Sequence, residues 1–464
     1  MRRVAAVVAL AGPTALAFFS GGFFDEPRLW AGVGACALLV AASLSSPLPR
    51  SPWAWLAPAA LALLAGWVWL SAGWAPLEGA AIADAQRVAL YAIALLAATL
   101  LVGAVPRLVE PMLGLGALVV VAYGLSDRLL PGLVELDVSR TALGRLEQPL
   151  TYWNAVGALA GIGFVLGARV MGDPERPPWL RAALGAATVP LGLAVVLTFS
   201  RGTLLALAVG LAALCLVAPT RAQLRAASLA LAATVAAGAV GIALDGVRTL
   251  GGSHREAQGA GMLVLLLLLM GGLALVARRE PPAGELRRAW PAALAGAGAV
   301  VLVMVGLALS GVTPSTGTPA AGADPARLAS AQSNRYAYWR VAVGAFADHP
   351  LAGVGSGGFR VEWRRERDVV DPARDAHSLY LETAGELGLV GLLLLGAAVV
   401  AVVMSAREAR RRAPAASAGL IAALVLWAAH AGVDWDWEMP ALTLVALLIA
   451  GALAALSEPP EPAG

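Results

Sequence analysis

Arg201 stands in a turn of only a few residues between two apolar blocks, where a charge is costly unless something pairs with it. Arg335 lies beside a stripe of Tyr336, Trp339, Val343 and Phe346 that recurs at helical spacing, with Arg340 on the other flank. Guanidinium groups held at a membrane interface can grip phosphate oxygens in a two-pronged fashion. Plainer roles fit as well: Arg201 snorkelling to headgroups, and Arg335 as the charged face of an interfacial helix. His377 opens the run His377-Ser-Leu-Tyr-Leu-Glu382. Histidine is the side chain best suited near neutral pH to take a proton from a hydroxyl, though it can also decorate a helix start. Glu382 and Glu386 are one helical turn apart and could orient His377 or an arginine, or simply line a helix face. Asp434-Trp-Asp436 imitates a metal-binding Asp-x-Asp. Its side chains diverge at a helix end and no further ligand is near in sequence, so no metal site is expected.

The remaining histidines read as structural. His254 falls in a polar loop, His349-Pro350 stops a helix, and His430 sits four residues before Asp434. A hydrogen-bonded His430–Asp434 pair joining the last two spans is the simpler reading, a relay the alternative.

The elements that must carry these residues are membrane spans. Of the 464 residues, 59% are apolar and only 14% charged, too few charges for soluble domains. About fourteen apolar blocks, from 4–20 to 439–456, are each long enough to cross a hydrocarbon layer of roughly 30 Å as a helix. One of them is 290–310. The expected fold is all-α and polytopic, organised as a bundle of about eleven spans over 1–310, a loop with amphipathic helices over 311–385, and a three-span bundle with a short tail over 386–464. In that loop a glycine- and proline-rich linker, 311–319, precedes a helix expected over Asp324–Asp348, with Asp324 as its cap.

Short loops alternate in arginine content, and the richer set is cytoplasmic by the positive-inside rule. Both termini are then inside, and the two longer segments, 126–151 and 311–385, face outward. Arg2, Arg3 and the apolar run ending at Ala15-Leu16-Ala17 also fit a secretory signal, although a first span explains the same residues. All 33 basic residues are arginine, dispersed through loops, and the net charge is +3, so nucleic acid is not an expected partner. Cys36 and Cys215, the two cysteines, fall inside expected spans, which argues against disulfides and thiolate metal sites.

Taken in order, several fragments resemble the O-antigen ligase family, with its related O-antigen polymerases and protein O-oligosaccharyltransferases. They are Gln148-Pro-Leu-Thr-Tyr-Trp-Asn-Ala155, Thr198-Phe-Ser-Arg-Gly-Thr203, Arg335-x-x-x-Trp339, His349-Pro-Leu-Ala-Gly-Val-Gly355, His377-Ser-Leu-Tyr-Leu-Glu382 and Glu386-Leu-Gly-Leu-Val-Gly391. The resemblance runs from about Arg145 to Glu438, on one expected face of the membrane. It departs from the family at Ser378, where relatives often carry Asn, and in an extra pair of spans near the N-terminus.

The resemblance implies a type C glycosyltransferase-like bundle in the bacterial cytoplasmic (inner) membrane. Its activity would be inverting transfer of a glycan from an undecaprenyl-diphosphate carrier to a hydroxyl on the outer face, needing no metal or other cofactor. The acceptor could be a lipid, a glycan or a protein. His377 would be the base; Arg201, Arg335, Arg145, Asn154, Trp339 and Glu382 would bind substrate. By itself Arg145 reads as an ordinary loop arginine. Polymerase-type chain extension is an alternative activity. A non-enzymatic transporter is the rival from another class, disfavoured because charges gather at one interface and not within spans.

Overall fold

The structure is a computed structural model that describes residues 1–285, 322–329, 333–367 and 371–459. Among the described residues there are helices and no strands, and the chain is an all-α polytopic membrane protein. Among the described residues, ten helices are long and apolar enough to cross a membrane. Two shorter apolar helices, Arg201–Val217 and Pro440–Leu456, accompany them. Helix Arg2–Ala17 covers the first expected span, whereas the expected span 290–310, its Arg287 and Arg288 flank and the linker 311–319 lie outside the described residues.

Burial ranks the helices. Trp153–Met171 is buried along its whole apolar window and Pro178–Leu197 over 89% of it, against 17% for Asp25–Ser45 and 22% for Arg255–Arg278. The first two therefore form the centre and the last two face lipid. Close approach at the centre depends on small residues, as in membrane helix pairs generally. A Cβ on Gly163 would stand 2.6 Å from the Ala117 Cβ, too near for any larger residue.

Loops of the arginine-rich set meet at one end of the bundle, where their charges are tied down. Arg169 pairs with Asp173 at 3.1 Å and Arg176 with Glu110 at 2.7 Å. Arg181 donates to the carbonyls of Ala277, Arg278 and Arg279 that end helix Arg255–Arg278. A helix C-terminus leaves such carbonyls unsatisfied, and a guanidinium suits them.

At the other end the two long segments meet. Ala323 N–H donates to the Leu143 carbonyl, and buried Arg128 donates to the carbonyls of Gly144, Val247 and Arg248. The helix expected over Asp324–Asp348 is instead a 3-10 turn, Pro325–Ala329, and a separate helix, Arg335–Asp348. Asp324 caps only the turn, through Ala326 N–H at 2.9 Å. Helix Phe359–Glu366 follows. Tyr338, Val341, Ala342, Phe359, Trp363 and Ala376 pack into a small core of their own. Asp371 pins it, accepting from Asn334 at 2.7 Å and from the Tyr338 hydroxyl at 2.6 Å.

The last three apolar blocks open with helix Leu379–Arg412, which runs from just after His377 into its span and is broken at Gly388 with φ 63° and ψ −159°. A Cβ there would lie 2.4 Å from the Leu351 carbonyl carbon, so glycine satisfies both the angle and the contact. The glycine-rich turn laces across the break: Val354 and Gly355 N–H groups donate to Gly385 and Glu386, and Leu389 N–H donates to Pro350. This lacing fixes the first turns of the helix, and hence His377 just before it.

Candidate functional site

Ser200 caps helix Arg201–Val217, its side chain accepting from Thr203 N–H at 3.2 Å. The cap holds Arg201 at the first helical position, facing the loop end of the bundle. A Cβ on Gly202 would be 3.5 Å from Arg335 Nη1 and 3.6 Å from His430 Nε2. The Ser-Arg-Gly turn is therefore pressed against the start of helix Arg335–Asp348.

Arg335 ion-pairs with Asp434, which is fully buried. Asp434 also accepts from the Tyr152 hydroxyl at 2.6 Å and from Asn154 Nδ2 at 2.7 Å. Two expected site residues, Asn154 and Arg335, thus meet on one carboxylate, although 181 positions separate them in sequence. Burial on its own would raise the Asp434 carboxyl; Arg335, with help from His430 and His377, holds it below the usual carboxylate range. The expected His430–Asp434 pair is corrected: His430 Nδ1 bonds Asp436 at 2.6 Å. Helix Pro414–Ala431 ends one residue after His430, so the one-turn spacing to 434 has no helix to carry it. His430 Nε2 lies 3.1 Å from Thr203 Oγ1, which donates to Ser200, so a buried chain of contacts fixes the Arg201 turn from behind.

Arg145 is no solvated loop residue. It is 5% exposed, donates to the carbonyls of Ala142 and Thr141, and lays its guanidinium 3.5 Å over the Trp153 ring. Burial, then the charge of Arg327, pushes it down to about 10. Arg327 is lowered in turn by burial and by repulsion from Arg201 and Arg335. Arg145, Arg201, Arg327 and Arg335 thus share one region. Arg327, which the motifs do not single out, is brought there by the 3-10 turn.

His377 adopts φ 53°, left-handed backbone that histidine tolerates better than most residues. Its ring lies 5.1 Å from that of Tyr338 and 6.4 Å from that of Trp435. Nδ1 is 3.0 Å from the Asp375 carbonyl. A carbonyl only accepts, so the ring proton belongs on Nδ1 and Nε2 keeps its lone pair. Trp339 Nε1 points at the His377 carbonyl from 3.5 Å. Glu382 accepts from Ala376 N–H at 2.6 Å, and Ser378 caps the helix that follows. Trp339 and Glu382 therefore brace the His377 turn and do not face the arginines, while Glu386 accepts from Phe359 N–H at 2.9 Å.

Behind His377 the charge reverses. Carboxylate oxygens of Asp375, Glu382 and Glu438 lie within 4.8 Å of one another, a grouping whose members are too scattered in sequence to be seen there. Arg87 offsets them, 2.9 Å from Asp84 and 3.2 Å from Glu438. Burial, followed by neighbouring acids, raises Glu438 well above the usual range despite Arg87, and burial raises Asp375.

No curated protein matches this chain. The family model described as O-Antigen ligase matches residues 256–396, which include Arg327, Arg335, Trp339, His377, Glu382 and Glu386. Arg145, Asn154, Arg201 and Asp434 lie outside that stretch and are joined to it by the fold. The match supports the O-antigen ligase family for this multi-pass membrane protein and, with it, a ligase- or polymerase-like transferase role in polysaccharide assembly.

Proposed function

We propose that the chain transfers a glycan from an undecaprenyl-diphosphate carrier to an acceptor hydroxyl at the extracytoplasmic face of the cytoplasmic membrane, with inversion at the anomeric carbon. The observation that carries this reading is the gathering of Arg145, Arg201, Arg327 and Arg335 beside the His377 turn, with buried Asp434 as the counter-charge of Arg335. Buried or half-buried cations that repel one another favour an anion between them, and a diphosphate offers oxygens for several guanidinium forks.

In this reading the acceptor oxygen attacks the anomeric carbon and the bond from that carbon to the diphosphate oxygen breaks. His377 Nε2 takes the hydroxyl proton, and the nearby Asp434 carboxylate offers a counter-charge to the imidazolium. The departing diphosphate keeps its electrons and needs charge stabilisation, which the arginines supply. Trp339 and Glu382 hold the histidine's backbone, and Asn154 holds Asp434. The segment 311–385 lies outside the membrane in this proposal, as the arginine alternation of the loops suggests.

Mass analysis of lipid-linked glycans in cells with and without the protein tests the proposal. Undecaprenyl-diphosphate-linked glycan should accumulate on deletion and clear again with the wild-type chain but not with His377→Ala. Loss of solute uptake without that accumulation would point to a transporter and overturn it.

A further inference from the structure

A second polar hollow lies on the other side of the His377 turn from the four arginines. Its volume is about 290 Å³, at the lower end of small-ligand pockets, which run from ~300 to 1,000 Å³. Asp375, whose carbonyl receives the His377 ring proton, lines it. Phe23 and Phe24 form an aromatic corner, their rings 5.4 Å apart, and Phe23 is 5.4 Å from the Trp435 ring that faces His377. The charged lining mixes cation and carboxylate: Arg28 with Asp25 at 2.6 Å, Arg87 with Asp84 at 2.9 Å, Glu438, and Arg360 and Arg374.

We propose that this hollow seats the acceptor's terminal sugar, a neutral polyhydroxylated ring, with the reacting hydroxyl directed at His377. The proposal rests on the transferase reading above. Sugar hydroxyls both donate and accept, and a wall of interleaved guanidinium and carboxylate groups offers partners for both. An anion would accept only, and would leave Asp25, Asp84, Asp375 and Glu438, interleaved with Arg28, Arg87, Arg360 and Arg374, without a donor from the ligand. The C–H face of a sugar ring packs on aromatic rings, as Phe23 and Phe24 allow. Much of the wall, from Phe23 to Arg28 and from Ala80 to Arg87, lies outside the stretch that matches the O-antigen ligase model, so acceptor choice would be written in the chain's own N-terminal half.

The test is saturation-transfer NMR on the detergent-solubilised full chain, with methyl glycosides of glucose, galactose, mannose and rhamnose as neutral probes, and glucuronate and inorganic pyrophosphate as anionic ones. At least one neutral glycoside should bind in the millimolar range. Phe24→Ala and Arg360→Ala, both at accessible positions, should each weaken it about tenfold, the equivalent of one charge-assisted hydrogen bond or its like. Ala83→Trp, which fills the hollow from helix Glu78–Leu101, should abolish binding. Pyrophosphate should leave the glycoside signal unchanged. Displacement by glucuronate or pyrophosphate, or no binding of any neutral glycoside, overturns the assignment. If glycan transfer proceeds and these three variants leave the acceptor KM unchanged, the hollow is not the acceptor site while the transferase reading stands. Glycoside binding with the expected variant effects, in a chain that transfers nothing, leaves the hollow as a sugar site and removes the transferase reading.

Discussion

The two sides of the His377 turn are built from the same residue types in opposite proportion. On one side Arg145, Arg201, Arg327 and Arg335 gather, with Asp434 paired to Arg335; on the other Asp84, Asp375, Glu382, Glu386 and Glu438 gather around Arg87, with Arg28, Arg360 and Arg374 along the hollow beside them. Members of both sets are buried or half-buried, so neither excess is cheap. The arginine side lowers its cost by accepting an anion. The carboxylate side lowers its cost by keeping protons, which is why Glu438 and Asp375 titrate high while Asp434 titrates low. In the proposed reaction the anionic donor is drawn to the arginine excess, and the side where guanidinium groups and protonated or paired carboxyls are mixed is left to a neutral acceptor.

The largest expected effect divides the histidine from its surroundings. His377→Ala removes proton transfer, typically a contribution of ~100- to 10,000-fold, and should lower single-turnover rate by that order while donor affinity stays near wild type. A near wild-type rate would show that the two sides do not meet at His377.

A smaller effect probes the carboxylate side by pH. Glu438 binds its proton more tightly in the folded chain than in the unfolded one, so the folded state holds more protons between the two pKa values and stability falls as pH rises through that window. The melting temperature should therefore decline from the ordinary carboxylate range near pH ~4 toward neutrality, and Glu438→Gln should flatten that decline. Asp434 is displaced the other way, so Asp434→Asn should flatten an acid-side loss of stability instead. Parallel pH profiles in the two variants would mean that the sides do not differ electrostatically.

The smallest effect concerns Ser378, where relatives often have Asn. Its side chain accepts from Leu381 N–H as a helix N-cap, a place where Asn and Ser serve about equally. Ser378→Asn should shift stability by no more than ~0.5 kcal/mol, whereas Ser378→Ala should cost about 1 kcal/mol in thermal denaturation. A large loss of turnover in Ser378→Asn with stability unchanged would give the position a chemical role.

The spans and the local motifs were legible because each is carried by contiguous residues. Apolar runs give helices at almost every expected block, and Arg201, Arg335 and His377 announce themselves through their immediate neighbours. What could not be read depends on three-dimensional meetings. Nothing near Arg327 in sequence marks it, since its partners are residues 201 and 335 and its position depends on a 3-10 turn where periodicity suggested a helix. Asp434 looked like a partner for His430 because four-residue spacing implies a helical turn, but the helix ends at Ala431 and Asp434 turns to Arg335. The carboxylate group draws on residues 84, 375, 382 and 438, a set that no spacing rule links.

The central claim is that the four arginines receive the carrier's diphosphate, and Arg327 tests it most directly because no motif singles it out. Equilibrium binding of undecaprenyl diphosphate should be compared with that of undecaprenol in wild type, Arg327→Ala and His377→Ala, each in monodisperse detergent-solubilised form. The diphosphate should bind much more tightly than the alcohol. Arg327→Ala should lose about tenfold or more of that preference, the scale of one charge-assisted contact, and His377→Ala should retain it. Equal affinity for the diphosphate and the alcohol, or an unchanged preference in Arg327→Ala, would contradict the account.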